Sequence, residues 1–269
     1  MLTIADAFDA ALREAVDAVE PGWDLTFLER GFVAASPSWD YGALARAAAA
    51  DARTVVDIGT GGGEFLRDLL PLGARRVIAL EGFEPNVPIA RRNLEPRGVE
   101  VIQVPLGVYD AYGPGPGPDG FHPERKLPLA DASVDVVLVR HSGFAVSEAA
   151  RVLRRGGVLV NEGIGPRNME QLRERFVGPH IRRDDTPSEP PPAPSAASLT
   201  VVDDRDELLR GVFLDVAAVA YYLLKVPWHV ADFCVERYRT ELLAVDDAIA
   251  AVGALEVTVH RSLLVARKD

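Results

Sequence analysis

Cysteine is nearly missing from this chain: Cys234 stands alone among 269 residues. No internal disulfide can form, and no Cys/His spacing that would hold zinc exists. Cys234 itself reads as a small buried hydrophobe. Aromatic residues are also scarce, at 7%. No uninterrupted apolar run reaches the roughly 18 residues that a membrane span requires. The opening stretch, MLTIADAFDAALREAV, mixes acids with apolar residues and has no basic start followed by an apolar block, so it does not read as a signal peptide. Positive charge is in short supply too, with 29 Lys and Arg against 40 Asp and Glu, a formal net charge of -11. A polyanion such as RNA or DNA would meet net repulsion. The tightest basic clusters (Arg75-Arg76, Arg91-Arg92, Arg154-Arg155, Arg182-Arg183) are short and read as solvated helix ends and loops. These shortages leave a cytoplasmic enzyme as the expectation, with no membrane or nucleic-acid partner and with monomer and homodimer both open.

At 48% hydrophobic residues the chain can bury one sizeable core. Ile4, Phe8, Leu12, Ala15, Val16 and Val19 recur at helical spacing, with Thr3 as a cap and Pro21-Gly22 as a stop. A second helix is expected from about Tyr41 to Ala50, so residues 1–50 read as an N-terminal helical cap on a domain spanning 51–269. From Thr54 strands and helices alternate. Strands are expected at Thr54 to Ile58, Arg76 to Leu80, Val99 to Val104, Val134 to Val139 and from Gly157. Helices are expected at Glu64 to Leu70, Asn86 to Leu94 and Ser147 to Leu153. This order implies a parallel sheet with right-handed crossovers. Two stretches interrupt it: a Gly/Pro-rich insertion at 107–126 and a Pro-rich loop at 186–198. A short strand from Leu199 to Val202, a helical cover over 203–253 with helices from Asp215 to Lys225 and from Val235 to Val252, and a last strand or hairpin arm from Leu255 to Ala266 complete the reading.

The sharpest local feature is VVDIGTGGGEFL, Val55 to Leu66. A buried strand runs into Gly59, Gly61 and Gly63, and a helix follows. Glycines there permit positive φ and close approach of a ligand to the backbone, at the carboxyl end of a strand where open α/β sheets bind ligands. Asp57 precedes the loop, and Glu81 ends the second strand, where an acid can accept hydrogen bonds from ribose hydroxyls. A dinucleotide fingerprint would place its third glycine at position 64, which is Glu64.

Asp57 to Gly63 resembles motif I of the class I S-adenosylmethionine-dependent methyltransferases. Leu127 to His141 is similar to that family's approach to strand four. Glu148 to Val160 resembles its helix and turn before strand five, with Arg155 where proline is commoner. PSWDY at Pro37 to Tyr41, EGFEPNVPIARRNL at Glu81 to Leu94, RHSGF at Arg140 to Phe144, GPRN at Gly165 to Asn168 and YYLLKVPWHVADF at Tyr221 to Phe233 look like a group of stand-alone bacterial methyltransferases with a type 11-like domain. In that group Ser142 is commonly glutamate.

The resemblance implies an α/β, Rossmann-like fold: a seven-stranded, mostly parallel sheet with the last strand antiparallel, N-terminal helices and a C-terminal helical cover. It implies S-adenosylmethionine as cofactor, S-adenosylhomocysteine as product and no metal. Asp57, Gly59, Thr60, Gly61 and Gly63 would hold the amino-acid end of the cofactor. Glu81 and Gly82 would hold the ribose, and Phe83 would pack on the adenine. The acid often found after strand three is missing, and Val104, Pro105 and Leu106 stand there, with Asp110 or backbone groups as substitutes. Arg140 and His141 follow strand four beside the cofactor. His141 is the first candidate for a general base, ahead of Glu162 and His229, each with a structural role as the alternative. Trp39, Tyr41, Tyr221, Tyr222 and Trp228 either wall a small-molecule pocket or pack the flanking helices on the sheet. The implied activity is methyl transfer to an oxygen, nitrogen or carbon of a small metabolite, such as one of secondary metabolism. The rivals are an RNA- or protein-modifying enzyme and a fold repurposed to bind the cofactor without methyl transfer.

Overall fold

A computed structural model describes residues 4–104, 126–178 and 198–269. Within them the chain forms eight helices. They are α1 (Ile4–Asp17), α2 (Tyr41–Ala49), α3 (Glu64–Leu69), α4 (Val87–Leu94), α5 (Val146–Val152), α6 (Glu170–Val177), α7 (Val216–Lys225) and α8 (Arg239–Val252). The eight strands are β1 (Phe32–Ala34), β2 (Thr54–Ile58), β3 (Arg76–Glu81), β4 (Val99–Gln103), β5 (Val134–Arg140), β6 (Leu153–Ile164), β7 (Leu199–Phe213) and β8 (Leu255–Lys268). Two compact units emerge.

The larger unit holds residues 38–164, 182–206 and 262–269. Its center is β6-β5-β2-β3-β4, in which all four ladders run parallel. The alternation of strand and helix imposes this, since parallel neighbours need a crossover. Strand β5 reads VDVVLVR and is buried along six of its seven residues, as a strand covered on both faces should be. One face carries Val55, Val77, Val136 and Leu138 with α2 to α4, and the other Val56, Ile78, Val137 and Leu159 with α5. Asp40 caps α2 by accepting the Ala43 N–H. Asp135, the second residue of β5, is buried and accepts the N–H groups of Arg53 and Thr54. It thereby fixes the entry into β2.

The smaller unit holds residues 1–37, 165–181 and 207–261. There β1 pairs antiparallel with the end of β7, Phe32 opposite Phe213. Helices α1, α6, α7 and α8 surround a core that includes Phe8, Leu172, Phe213, Leu223 and Leu242. Asp215 caps α7 through the Ala218 N–H.

The structure corrects several expectations. The strands number eight rather than seven, because β1, only three residues long, adds to the sheet. The supposed helical cover over 203–253 begins as strand, since β7 continues to Phe213; only α7 and α8 are helical there, with α8 starting at Arg239. Strand β6 starts at Leu153, four residues early: Leu153 pairs with Val134, and a register irregularity separates that pair from Val158 opposite Val136. Helix α1 ends at Asp17, ahead of Pro21. Cys234 is exposed. The Thr3 cap, Pro105, Leu106, Asp110, residues 107–125 of the Gly/Pro insertion and residues 186–197 of the Pro-rich loop lie outside the described residues.

Candidate active site

In the larger unit, β2 ends at Ile58 and the chain turns through Gly59 to Gly63 into α3. Gly59, Gly61 and Gly63 take φ values of +70°, +63° and +79°, a region that costs a residue with a Cβ about 1–2 kcal/mol. Space excludes side chains as well. A Cβ on Gly59 would lie 2.0 Å from Ser142 Oγ, and one on Gly63 would lie 2.7 Å from the Leu94 side chain. The N–H groups of Gly59 and Thr60 both donate to Leu80 O, at 2.9 and 3.1 Å, which ties the turn to the end of β3.

Next in β3 comes Glu81, whose carboxylate faces this turn. Gly61 N–H donates to one of its oxygens at 2.7 Å and Phe83 N–H to the other at 2.6 Å. Burial pushes this carboxyl above its ordinary range, and the N–H groups of Phe83, Gly61 and Gly82 offset only part of the rise. A carboxylate has about four acceptor sites, and three of them face these N–H groups. Asp57 lies one turn back, at the end of β2. Burial raises its carboxyl to about 6; the Thr60 hydroxyl and the Arg140 charge pull it down, and the Glu81 charge pushes it up. A desolvated acid of this kind is matched to a cationic ligand group, which would restore its charge.

The second cluster forms where β5 and β6 end side by side, with Arg140 paired to Glu162 in register. Glu162 is buried and accepts three donors: Trp39 Nε1 at 2.8 Å, Arg140 Nε at 3.1 Å and His141 Nε2 at 3.0 Å. Burial alone would raise this carboxyl, but His141, Trp39 and Arg140 together bring it down to about 2. It is ionised throughout the physiological range. His141 is held twice, because its backbone N–H also donates to Glu162 O at 2.8 Å. It adopts a left-handed φ of +54°, the kind of backbone strain that persists only when surrounding contacts over-determine it. With Nε2–H donating to Glu162, Nδ1 is the ring's acceptor. The Arg140 guanidinium stacks 4.2 Å above the Phe65 ring, which in turn packs on Tyr41 at 5.6 Å. Burial, reinforced by the charges of Asp57 and Glu162, holds the Tyr41 hydroxyl well above its ordinary range.

The expected cofactor residues Asp57, Gly59, Thr60, Gly61, Gly63, Glu81, Gly82, Phe83, Val104, Arg140 and His141 all fall at the carboxyl ends of β2 to β5. Phe83 is 42% exposed, available to a flat ligand, whereas Val104 is buried and donates its N–H to Glu81 O. Trp39 and Tyr41 are buried in this unit. Tyr221, Tyr222, Trp228 and His229 belong to the smaller unit. There Tyr221 is buried, with its hydroxyl donating to Asp24 O, and Tyr222 contacts His229 at 3.3 Å. Trp228 is 42% exposed and lies against Trp23, ring centroids 5.3 Å apart. Sequence reasoning missed the packing of Ser142 on Gly59, the stacking of Phe65 under Arg140 and the role of Trp39 as a donor. None had a local signal, because each partner lies on a different element.

Residues 56–161 match the family described as a methyltransferase domain. A ribosomal protein L11 methyltransferase of Sorangium cellulosum is 29% identical over 126 residues, covering 46% of this chain and 35% of that protein. Another of the same name from Desulforamulus reducens is 27% identical over 128 residues, covering 46% and 36%. The chain therefore spans about a third of the length of these curated relatives. Among solved structures, a functionally unknown protein from Deinococcus radiodurans R1 superposes with a TM-score of 0.51 at 16% identity, covering 98% of this chain and 99% of that one. The YcgJ protein from Bacillus subtilis superposes at 0.50 and 16%, covering 85% and 97%. At these identities the likeness is one of fold.

Proposed function

We propose that this chain, whose residues 56–161 match a methyltransferase domain, is a class I S-adenosylmethionine-dependent methyltransferase that binds S-adenosylmethionine at the Gly59–Gly63 turn and transfers its methyl group to an oxygen or nitrogen of a small metabolite. The observation that carries this reading is the paired acid arrangement around the turn. Glu81 sits across Gly61 with its carboxylate beside the turn, where a ligand hydroxyl can reach it, and Asp57, raised to about 6, is matched to a cation. These donors and acceptors fit the ribose and the ammonium end of this cofactor. When bound, the cofactor supplies a methyl carbon already activated by its positive sulfur.

The protein's own contribution is then positioning. The N–H groups of Gly59, Thr60, Gly61 and Gly63 all donate within the protein, so the turn acts as a rigid, glycine-lined surface that a ligand can approach closely, and Phe83 offers an exposed ring. His141, fixed by Glu162 at both its backbone and its ring, accepts a proton at Nδ1 from an acceptor hydroxyl. Glu162 is the positioning residue for that imidazole. Ionised down to about pH 2 and occupied by three donors, it is unsuited to taking a proton itself.

A small acceptor is favoured by the net charge of -11, which opposes RNA. A protein acceptor is the second reading, favoured by the names of the two curated relatives. Calorimetry with S-adenosylmethionine tests the cofactor assignment, and absence of binding heat rejects it. An assay for S-adenosylhomocysteine release over a panel of small hydroxy and amino compounds and over ribosomal protein separates the two acceptors. Binding with no release on any of them favours a repurposed fold.

A further inference from the structure

A second concavity lies at the opposite edge of the sheet, in the larger unit. It encloses about 590 Å³ and is bounded by residues at the end of α3 and the starts of β3 and β4. That is within the range of small-molecule sites, about 300–1,000 Å³. Its floor is apolar, with Leu72, Val77 and Val99 each buried. Its polar wall is entirely cationic: Arg67, Arg75 and Arg97 line it, and no acid does. Asp68 stands beside this wall and its charge meets Arg67 and Arg97. Arg97 spends one donor on Asn93 O and Arg67 one on Asp68, whereas Arg75 has no ion pair among the described residues. Guanidinium groups keep their charge at any physiological pH and bind carboxylate or phosphate bidentately.

We propose that this cleft is a binding site for a small amphiphilic anion, a carboxylate or phosphate monoester whose apolar body rests on Leu72, Val77 and Val99 and whose head is held by Arg75 and Arg97. Val77 is the second residue of β3 and Glu81 the last, so nearly a strand's length separates this cleft from the glycine turn. The anion therefore occupies a site distinct from the proposed cofactor site, and the proposal stands whether or not methyl transfer does.

The test is calorimetry on the full chain with octanoate, octyl phosphate, octanol and inorganic phosphate as probes. Octanoate or octyl phosphate is expected to bind at least tenfold more tightly than octanol or phosphate alone, because neither wall nor floor suffices by itself. Whichever of the two anions is tighter identifies the head group. The exposed pair Arg75→Ala/Arg97→Ala is expected to weaken that binding at least tenfold. Arg92→Ala, an exposed arginine outside the cleft, leaves it within twofold, and so does a saturating amount of S-adenosylhomocysteine. No anion binding at millimolar concentration overturns the proposal. So does binding untouched by the double substitution, equal binding of octanol, equal binding of inorganic phosphate, or displacement by S-adenosylhomocysteine.

Discussion

Replacing Glu162 with glutamine probes the cluster that holds His141. The Glu162 side chain is only 7% exposed and meets Trp39, Arg140 and His141. A carboxyl taken from 4.5 to about 2 in the folded chain corresponds to roughly 3 kcal/mol of preferential stabilisation of the ionised form. Glutamine keeps an acceptor for the buried Trp39 N–H. Its amide nitrogen, however, turns donor hydrogens toward Arg140 or His141, and the lost charge leaves Arg140 uncompensated. The expected cost near neutral pH is about 2–4 kcal/mol, or a fall in Tm of roughly 4–16 °C at about 2–4 °C per kcal/mol for a chain of this size. The pH dependence carries a distinct signature. Because the folded value lies below the unfolded one, the contribution of Glu162 is complete above about pH 4.5 and is lost as pH falls toward 2. The difference between wild type and Glu162→Gln, measured by urea unfolding, should be present at neutral pH and shrink below about 4.5. A difference under about 0.5 kcal/mol at neutral pH, or one that does not shrink in acid, would refute the three-donor clamp.

Gly59→Ala should cost at least about 2 kcal/mol in urea unfolding, from its φ of +70° and the approach of Ser142 Oγ. Adding Ser142→Gly should recover the steric share and leave the backbone share; no recovery at all would mean that Ser142 is not the obstacle. His141→Asn keeps a residue that tolerates left-handed φ, so turnover on a hydroxyl acceptor should drop about 10²–10⁴-fold while cofactor Kd stays within threefold. Unchanged turnover removes the base role. Because Asp57 titrates near 6 in the free protein, cofactor affinity should rise with pH through that value as the acid becomes ionised, by up to about tenfold per pH unit below it. Calorimetry from pH 5 to 8 reads this directly, and an affinity already flat across that window, as expected of Asp57→Asn, would contradict it.

Much of the glycine turn was legible because its determinants are local. Strand β2 is a short apolar run, the three glycines follow at alternate positions, and α3 begins at Glu64, so a handful of neighbouring residues specify the turn. Glu81 was legible for the same reason, as the acid that ends an apolar strand. The 203–213 segment was not. Its acidic run, DDRDELL, has no strand pattern of its own, and it becomes part of β7 through its neighbours in the sheet, which is how strand preference generally acts. Strand β1 was invisible because three residues carry no periodicity.

The sequence by itself therefore determined the alternation of strands and helices from β2 to β5, the parallel center of the larger unit and the place of the glycine turn, since hydrophobic period, glycine conformation and the need for crossovers are properties of contiguous residues. Only the tertiary structure decided what Glu162 does. Its three donors come from positions 39, 140 and 141, and a carboxyl's acidity depends on which charges and hydrogen bonds reach it through space. The same holds for the contact of Ser142 with Gly59 and for the arginine cleft, whose cations converge from α3, the approach to β3 and the turn before β4.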